Sequence, residues 1–509
     1  MKTSKRRFAA FFAVAIAAGT PLRAADALDW HLPPRATLAD GILTIDVPEE
    51  EAREGCRAWT SVDLSAYDGI PFEATIEAWG ERVGKARDSW NGLKFQFEYL
   101  NPDTGETLYP NTTFRSRDFA RRTLAVRDSL CTHKAPSARL VLGLQDASGK
   151  VSFDLSTLRI RPGRILWPVT NQNHRCEYTA AASRLRGVMS PSRDMTEDDF
   201  RTLRAWGATL LRYQMTRDKG ENPRDMDAFD RWLAGRLDHL DAVVLPLAEK
   251  YGIMVVVDLH AAPGGLDGSK DMAMFHDSDL ADHFVALWRG IAERFAGRPG
   301  IYGYDLVNEP VQTTEALPDC DYWSLQRRAA EAIREIDPAT PIVVESNLMD
   351  APAAFSTLSP LALANVIYEV HMYNPAAFTH QNLGGEARPG GPVYPDPAKN
   401  WDKAYLRRIL APVRDFQEKH GARIFAGEFS AVAWAQGAED YLRDCIDIFE
   451  EYGWDWTYHA FRQWPGWSVE HEGPDARHLV PAAGDTPRKR VLLDGLRRDP
   501  RPDSGDARQ

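Results

Sequence analysis

Positive charge is in short supply in this sequence: 61 Lys and Arg stand against 73 Asp and Glu, a net charge of −12 over 509 residues. Phosphate binding needs a basic field, and no clustered Lys/Arg face offsets the deficit, so nucleic acid is excluded as a partner. Cysteine is also scarce, with five in the chain. None belongs to a Cys-x-x-Cys pair or a Cys/His cluster of zinc spacing, so no structural metal is expected. Cys56 and Cys131 share the N-terminal region and are candidates for one disulfide; the alternative is that all five are buried or inert thiols. Long apolar runs are missing apart from Phe8–Ala18, which is too short to span a bilayer. That run follows Lys2, Lys5, Arg6 and Arg7 and precedes Gly19-Thr20-Pro21, with small residues at Ala24, Ala25 and Ala27. This is the plan of a cleaved secretory signal over residues 1–27, so a secreted or periplasmic monomer with no membrane association is expected.

What remains is ordinary globular composition, with 44% hydrophobic residues and a generous 15 Trp and 16 Tyr. Flat aromatic faces suit sugar rings as well as cores. Residues 28–162 read as β structure. Gly41–Val47, Phe72–Ala78, Leu93–Tyr99, Ala138–Leu144 and Val151–Leu155 alternate apolar and polar residues or form short apolar runs. Turn signals at Tyr67-Asp-Gly-Ile-Pro71, Asn101-Pro-Asp-Thr-Gly105 and Asp146-Ala-Ser-Gly149 separate them. Such spacing predicts an antiparallel, jelly-roll-like β-sandwich, similar to the carbohydrate-binding-like modules attached to polysaccharide-degrading enzymes. Trp59, Trp79 and Trp90 are candidates for a sugar platform there, with core packing the commoner use of such rings.

Pro162-Gly-Arg164 marks a boundary. Over residues 163–498, short apolar runs alternate with amphipathic helices, and residues 499–509 form a polar tail expected to fray. The runs are Arg186–Val188, Ala208–Arg212, Ile253–His260, Ile301–Asn308, Ile342–Glu345, Val366–His371, Arg423–Glu428 and Trp454–Phe461. Eight strands interleaved with helices predict an α/β domain, a (β/α)8 TIM barrel, whose active site lies at the carboxyl ends of its strands. Arg212, His260, Asn308-Glu309, His371 and Glu428 end five of these runs. One such residue would be an ordinary loop residue, but five converging on one rim point to function. Glu309 after the fourth strand and Glu428 at the end of the seventh would face one another across the mouth. Two opposed carboxyl groups are what glycosidic cleavage needs: one protonates the leaving oxygen, the other attacks the carbon or activates water. Arg212 would keep Glu428 ionised, and partial burial beside negative charge would keep Glu309 protonated.

Leu306-Val-Asn-Glu-Pro310, together with Arg212, Asp258-Leu-His260, His371-Met-Tyr373 and Gly427-Glu428, resembles glycoside hydrolase family 5, the cellulase and mannanase family. The resemblance covers Leu166 to Leu496 and implies a retaining glycosidase with no cofactor, acting on a polysaccharide or oligosaccharide. Carried over by position, it makes Glu309 the acid/base and Glu428 the nucleophile. It has Asn308 bond the sugar 2-hydroxyl, and Arg212 and Tyr373 hold Glu428. His260 would line the subsite on the non-reducing side, and His371 would lie beside Glu309. One position departs from the family pattern. His459 stands where an eighth-strand Trp usually forms the floor of the subsite holding the cleaved sugar, leaving Trp464, or else Trp467, to supply a ring. The resemblance implies an endo-β-1,4-glucanase first, with β-mannan, β-1,3-glucan and small β-glycosides as alternative substrates. An inactive sugar-binding protein is disfavoured because both glutamates and their supports are present. A metal-dependent barrel hydrolase is disfavoured because His260, His283 and His371 lack paired-ligand spacing.

Overall fold

A computed structural model describes residues 28–67, 71–86, 91–100, 107–112, 118–127, 138–179, 184–217, 220–383 and 391–498. The signal-like segment 1–27, the tail 499–509, Cys131, Trp90, the turn at 101–105 and most of the turn at 67–71 lie outside the described residues. So does the glycine-rich stretch 384–390 that follows Tyr373. The described residues divide into two compact units, one ending at Arg164 and the other starting at Ile165.

The first unit holds strands β1 Ala36–Ala39, β2 Ile42–Val47, β3 Cys56–Val62, β4 Phe72–Glu81, β5 Gly92–Leu100, β6 Thr107–Leu108, β7 Phe119–Arg127, β8 Ala138–Gln145 and β9 Gly149–Pro162. They form two antiparallel sheets, in the orders β1-β2-β9-β4-β7 and β3-β8-β5-β6. Along β4, Phe72, Ala74, Ile76 and Ala78 point inward and alternate with partly exposed residues, so one face of each strand feeds the core. Phe72 and Ile76 share one buried cluster with Leu43 and Ile45 of β2, Phe95 and Phe97 of β5, Leu140 of β8 and Phe153 of β9. This is the sandwich that the alternation predicts, with β3, β7 and the short strands β1 and β6 added to it. Cys56 is a buried free thiol on β3. Trp59 stacks with His31 at 5.2 Å and has the Arg139 guanidinium 4.6 Å from its ring centre. The Arg121 guanidinium lies 5.2 Å from the Trp79 ring.

The second unit is a closed barrel of eight parallel strands. These are β10 Arg186–Met189, β11 Leu210–Gln214, β12 Met254–Asp258, β13 Ile301–Asp305, β14 Ile342–Glu345, β15 Val366–Met372, β16 Arg423–Phe429 and β17 Asp455–Tyr458. Helices on the outside cover one strand face and the barrel interior covers the other, so the strands read as nearly continuous apolar runs. Aspartates cap several of the crossover helices: Asp277 caps Ser278–Phe295, Asp321 caps Tyr322–Arg334 and Asp402 caps Lys403–His420. The crossover after β14 departs from the expected strand–helix alternation, because a 3-10 turn at Pro352–Thr357 takes the place of a long helix. Inside, Leu210, Val256, Tyr302, Val343, Ile367 and Phe425 pack into one apolar layer that floors the upper half of the barrel.

Closing this barrel brings β10 very near β11. Gly187 pairs with Leu210, and a Cβ at Gly187 would lie 1.7 Å from the Leu210 carbonyl oxygen. Both partners are backbone, so no rotamer change relieves the clash. Gly187→Ala should destabilise the barrel by about 3 kcal/mol, read as a lower midpoint in urea unfolding. An unchanged midpoint would show that the two strands are not held this close.

Candidate active site

Above the apolar layer the barrel interior is charged. Arg212 on β11 is fully buried at its centre. Its guanidinium donates to Glu428 Oε1 at 2.7 Å, Glu345 Oε1 at 2.8 Å, Asp305 Oδ2 at 2.9 Å and Asn308 Oδ1 at 3.0 Å. Glu369 Oε1 lies at 3.1 Å and Asp258 Oδ2 at 3.6 Å. Successive strands from β12 to β16 thus each turn one acid toward a single cation. Burial alone would discharge Arg212, but Asp258, Glu369, Asp305 and Glu345 hold its pKa far up and keep it charged. Burial raises Glu345 and Glu369 well above the usual carboxylate range, with neighbouring acids adding to it.

Glu428 goes the other way. Its burial favours the neutral acid, yet the charges of His371, Arg212 and His260 outweigh that and hold it well below the usual carboxylate range. The Tyr373 hydroxyl donates to Glu428 Oε2 at 2.7 Å, and burial together with Glu428 keeps that phenol protonated. Tyr373 Oη also lies 2.9 Å from His459 Nδ1. Its one proton is committed to Glu428, so His459 must donate from Nδ1, leaving Nε2 as an acceptor. Burial lowers the pKa of His459, in keeping with a neutral ring.

Glu309 stands at the mouth with its side chain 33% exposed, open to proton exchange with solvent. Its backbone adopts φ 51°, left-handed and costly for a residue with a Cβ. The pairing of β15 with β16 shifts register between Glu369 and His371, which sets His371 opposite Glu428. The His371 ring is buried, with Nδ1 3.1 Å from Glu309 Oε1 and Nε2 3.2 Å from Glu369 Oε1. Burial opposes its charge, but Glu428, Glu345, Glu309 and Glu369 raise its pKa well above that of a free histidine. Gly427 leaves room for this arrangement, because a Cβ there would fall 1.5 Å from Glu369 Oε1.

Of the site residues named from the sequence, Arg212, His260, Asn308, Glu309, His371, Tyr373 and Glu428 lie in or beside this layer. His260 sits two residues beyond β12, its Nδ1 2.9 Å from Asp258 Oδ2. Trp464 stands one ring further out, packed edge-on at 5.6 Å against Trp467. Trp467 itself reaches the layer, 5.5 Å from His459 and 6.3 Å from Tyr373 between ring centres. Asp305, Glu345 and Glu369 are the members that the sequence reading passed over. Glu345 ends Ile342-Val-Val-Glu345 and satisfied the same strand-end criterion as the others. Asp305 and Glu369 lie within apolar runs, where an acid needs a buried cation. Oxygen and nitrogen atoms of Glu309, His371 and Glu428 lie within 4.8 Å of one another, as do those of Glu345, Glu369 and His371. Either set is compact enough for a cation, but Arg212 and protonated His371 already supply the positive charge there.

The model of the cellulase family, glycosyl hydrolase family 5, matches residues 175–463, more than half of the chain. The chain belongs to glycosyl hydrolase family 5. It is a glycoside hydrolase. Among its relatives, endoglucanase C of Acetivibrio thermocellus is 28% identical over 246 residues, covering 42% of this chain and 70% of that one. Cellodextrinase A of Ruminococcus flavefaciens is 26% identical over 252 residues, covering 48% and 71%. Among solved structures, Thermotoga maritima Cel5A with cellobiose is 22% identical, covers 61% of this chain and 97% of that one, and has a TM-score of 0.47.

In this family 5 hydrolase, Tyr373→Phe removes one donor from the ionised Glu428. A hydrogen bond to a charged group contributes about 1.5–3 kcal/mol, so kcat/KM should fall about 10- to 100-fold. The pKa of Glu428, held low in the native site, should rise, moving the acid limb of the kcat/KM profile to higher pH. An unmoved acid limb would show that Tyr373 does not stabilise the carboxylate.

Proposed function

We propose that this hydrolase cleaves β-1,4-linked glucan internally by a retaining double displacement, with Glu428 as nucleophile and Glu309 as acid/base. One observation carries the mechanism: carboxylate oxygens of Glu309 and Glu428 lie within 4.8 Å of each other. With one oxygen of each carboxylate that near the other, the pair suits the spacing of about 5–5.5 Å used for retention better than the about 6.5–9.5 Å of an inverting pair.

Glu428, kept ionised, attacks the anomeric carbon while Glu309 passes its proton to the departing glycosidic oxygen. The sugar is then an ester of Glu428, and Glu309 is a carboxylate. Water enters on the vacated side, Glu309 takes its proton, and the oxygen displaces Glu428 with the original configuration restored. Asn308 accepts from Arg212 through Oδ1, so its amide NH2 faces the substrate as a donor for the 2-hydroxyl, a bond that strengthens in the transition state. His260 borders the bound sugar, and the aromatic pair Trp467 and Trp464 extends the wall beyond His459. The endoglucanase and cellodextrinase among the relatives support a β-glucan substrate, and the signal-like N-terminus supports export.

The test uses the two glutamates separately. Glu428→Ala should abolish turnover on every substrate. Glu309→Ala should retain formation of the intermediate from substrates with a good leaving group, and azide should rescue its breakdown. NMR of the first-formed product should show the anomeric configuration retained; an inverted product, or azide rescue of Glu428→Ala alone, overturns the assignment. Product lengths from soluble β-1,4-glucan, β-1,3-glucan and mannan decide the substrate. A preference for mannan, or release of single sugars only, rejects the endo-glucanase reading.

A further inference from the structure

We infer that Glu345 is the positioning residue that sets the separation between Glu309 and Glu428. The inference rests on the roles proposed above for those two glutamates. Glu345 touches no reacting atom, yet its two oxygens serve opposite sides of the site. Oε2 accepts the Glu309 backbone N–H at 2.6 Å, and Oε1 accepts Arg212 Nη2 at 2.8 Å. Arg212 Nη1 continues to Glu428 Oε1 at 2.7 Å. Three hydrogen bonds through one planar carboxyl and one planar guanidinium therefore connect the acid/base to the nucleophile. Neither plane can flex, so the bridge acts as a spacer.

Glu345 is itself held from outside the barrel. Buried Gln326, on the helix Tyr322–Arg334, accepts the Glu345 N–H at 3.0 Å and donates to the Glu345 carbonyl at 2.8 Å. The loops after β13 and β14 are tied together above it. Gln312 N donates to Asn347 Oδ1 at 2.8 Å, and Asn347 Nδ2 donates to the Gln312 carbonyl at 2.9 Å. Glu309 needs such a tether, because its left-handed backbone at φ 51° persists only where the surroundings impose it.

Glu345→Gln tests this without changing volume. The amide has one accepting atom where the carboxyl has two. Its oxygen will stay with the charged guanidinium, the stronger partner, and its NH2 will then oppose the Glu309 N–H. The loss should therefore fall on Glu309. With aryl β-cellobiosides in the full-length protein, kcat for a poor phenol leaving group should drop about 100-fold. Hydrolysis of the dinitrophenyl analogue, which needs no proton in its first step, should be affected far less. An equal loss with both leaving groups, or no loss, overturns the inference. Should Glu345→Gln fail to fold, Gln326→Met decides, since it frees the Glu345 backbone from outside the pocket and should give the same leaving-group bias in smaller measure. Glu309→Ala run alongside separates the two readings. If it shows no leaving-group bias, the acid/base assignment fails. If it shows the bias and the Glu345 and Gln326 variants do not, only the role of Glu345 fails.

Discussion

The upper half of this barrel is organised around one buried guanidinium. A lone ion moved into a dry interior is expensive, and Arg212 is tolerated because five strands supply carboxyl groups within reach of it. The arrangement is also overfilled. Asp305, Glu345, Glu369 and Glu428 compete for the positive charge of Arg212 and His371, so their titrations are linked. Position decides which way each acid is driven. Glu345 and Glu369 are fully buried and pushed upward by it, whereas Glu428 faces His371 and His260 as well as Arg212 and is driven downward. Side chains of one chemical type are thus driven in opposite directions by burial and by which cations they see.

The same geometry explains what sequence pattern made legible. Arg212, His371 and Glu428 stood out because each polar group ends an apolar run, where a barrel strand meets its mouth. The eight strands were legible for the same reason, and their observed bounds differ from the apolar runs mainly at the ends. Asp305 and Glu369 were not legible, because a strand buried on both faces shows no period and a single acid inside it looks like an interruption. Five acids on successive strands are nevertheless a signal, since each demands a buried partner and Arg212 is the arginine that shares their height in the barrel. In the first unit, β3 and β7 escaped notice for a different reason. β3 turns Trp59 outward and Thr60 inward, and β7 carries two arginines in a row, so neither shows clean alternation.

The aromatic wall shows how a local backbone choice redirects a side chain. Of the two rings in Gln463-Trp-Pro-Gly-Trp467, the sequence favoured Trp464 as the nearer to the sugar. Gly466 allows the Trp464 ring to fold back over the chain, where a Cβ would come within 2.1 Å of it. Trp467 then occupies the space beside His459 and Tyr373, while Trp464 leans on Trp434 at 5.9 Å. Trp467, the alternative ring that the sequence allowed, stands beside His459 because of the turn and not because of the spacing of the two tryptophans.

His459 gives this wall a chemistry that an indole lacks. An indole offers a face and one donor, whereas His459 has its Nδ1 proton committed to Tyr373 and so presents an acceptor at Nε2. Because Tyr373 in turn donates to Glu428, any hydroxyl that donates to Nε2 polarises the imidazole in the direction that strengthens the whole chain toward Glu428. The acceptor at Nε2 and the ionisation of Glu428 are therefore joined through one tyrosine hydroxyl. Strand-end rigidity suits such a relay: its three members sit on or next to β15, β16 and β17, which the closed sheet holds in fixed register.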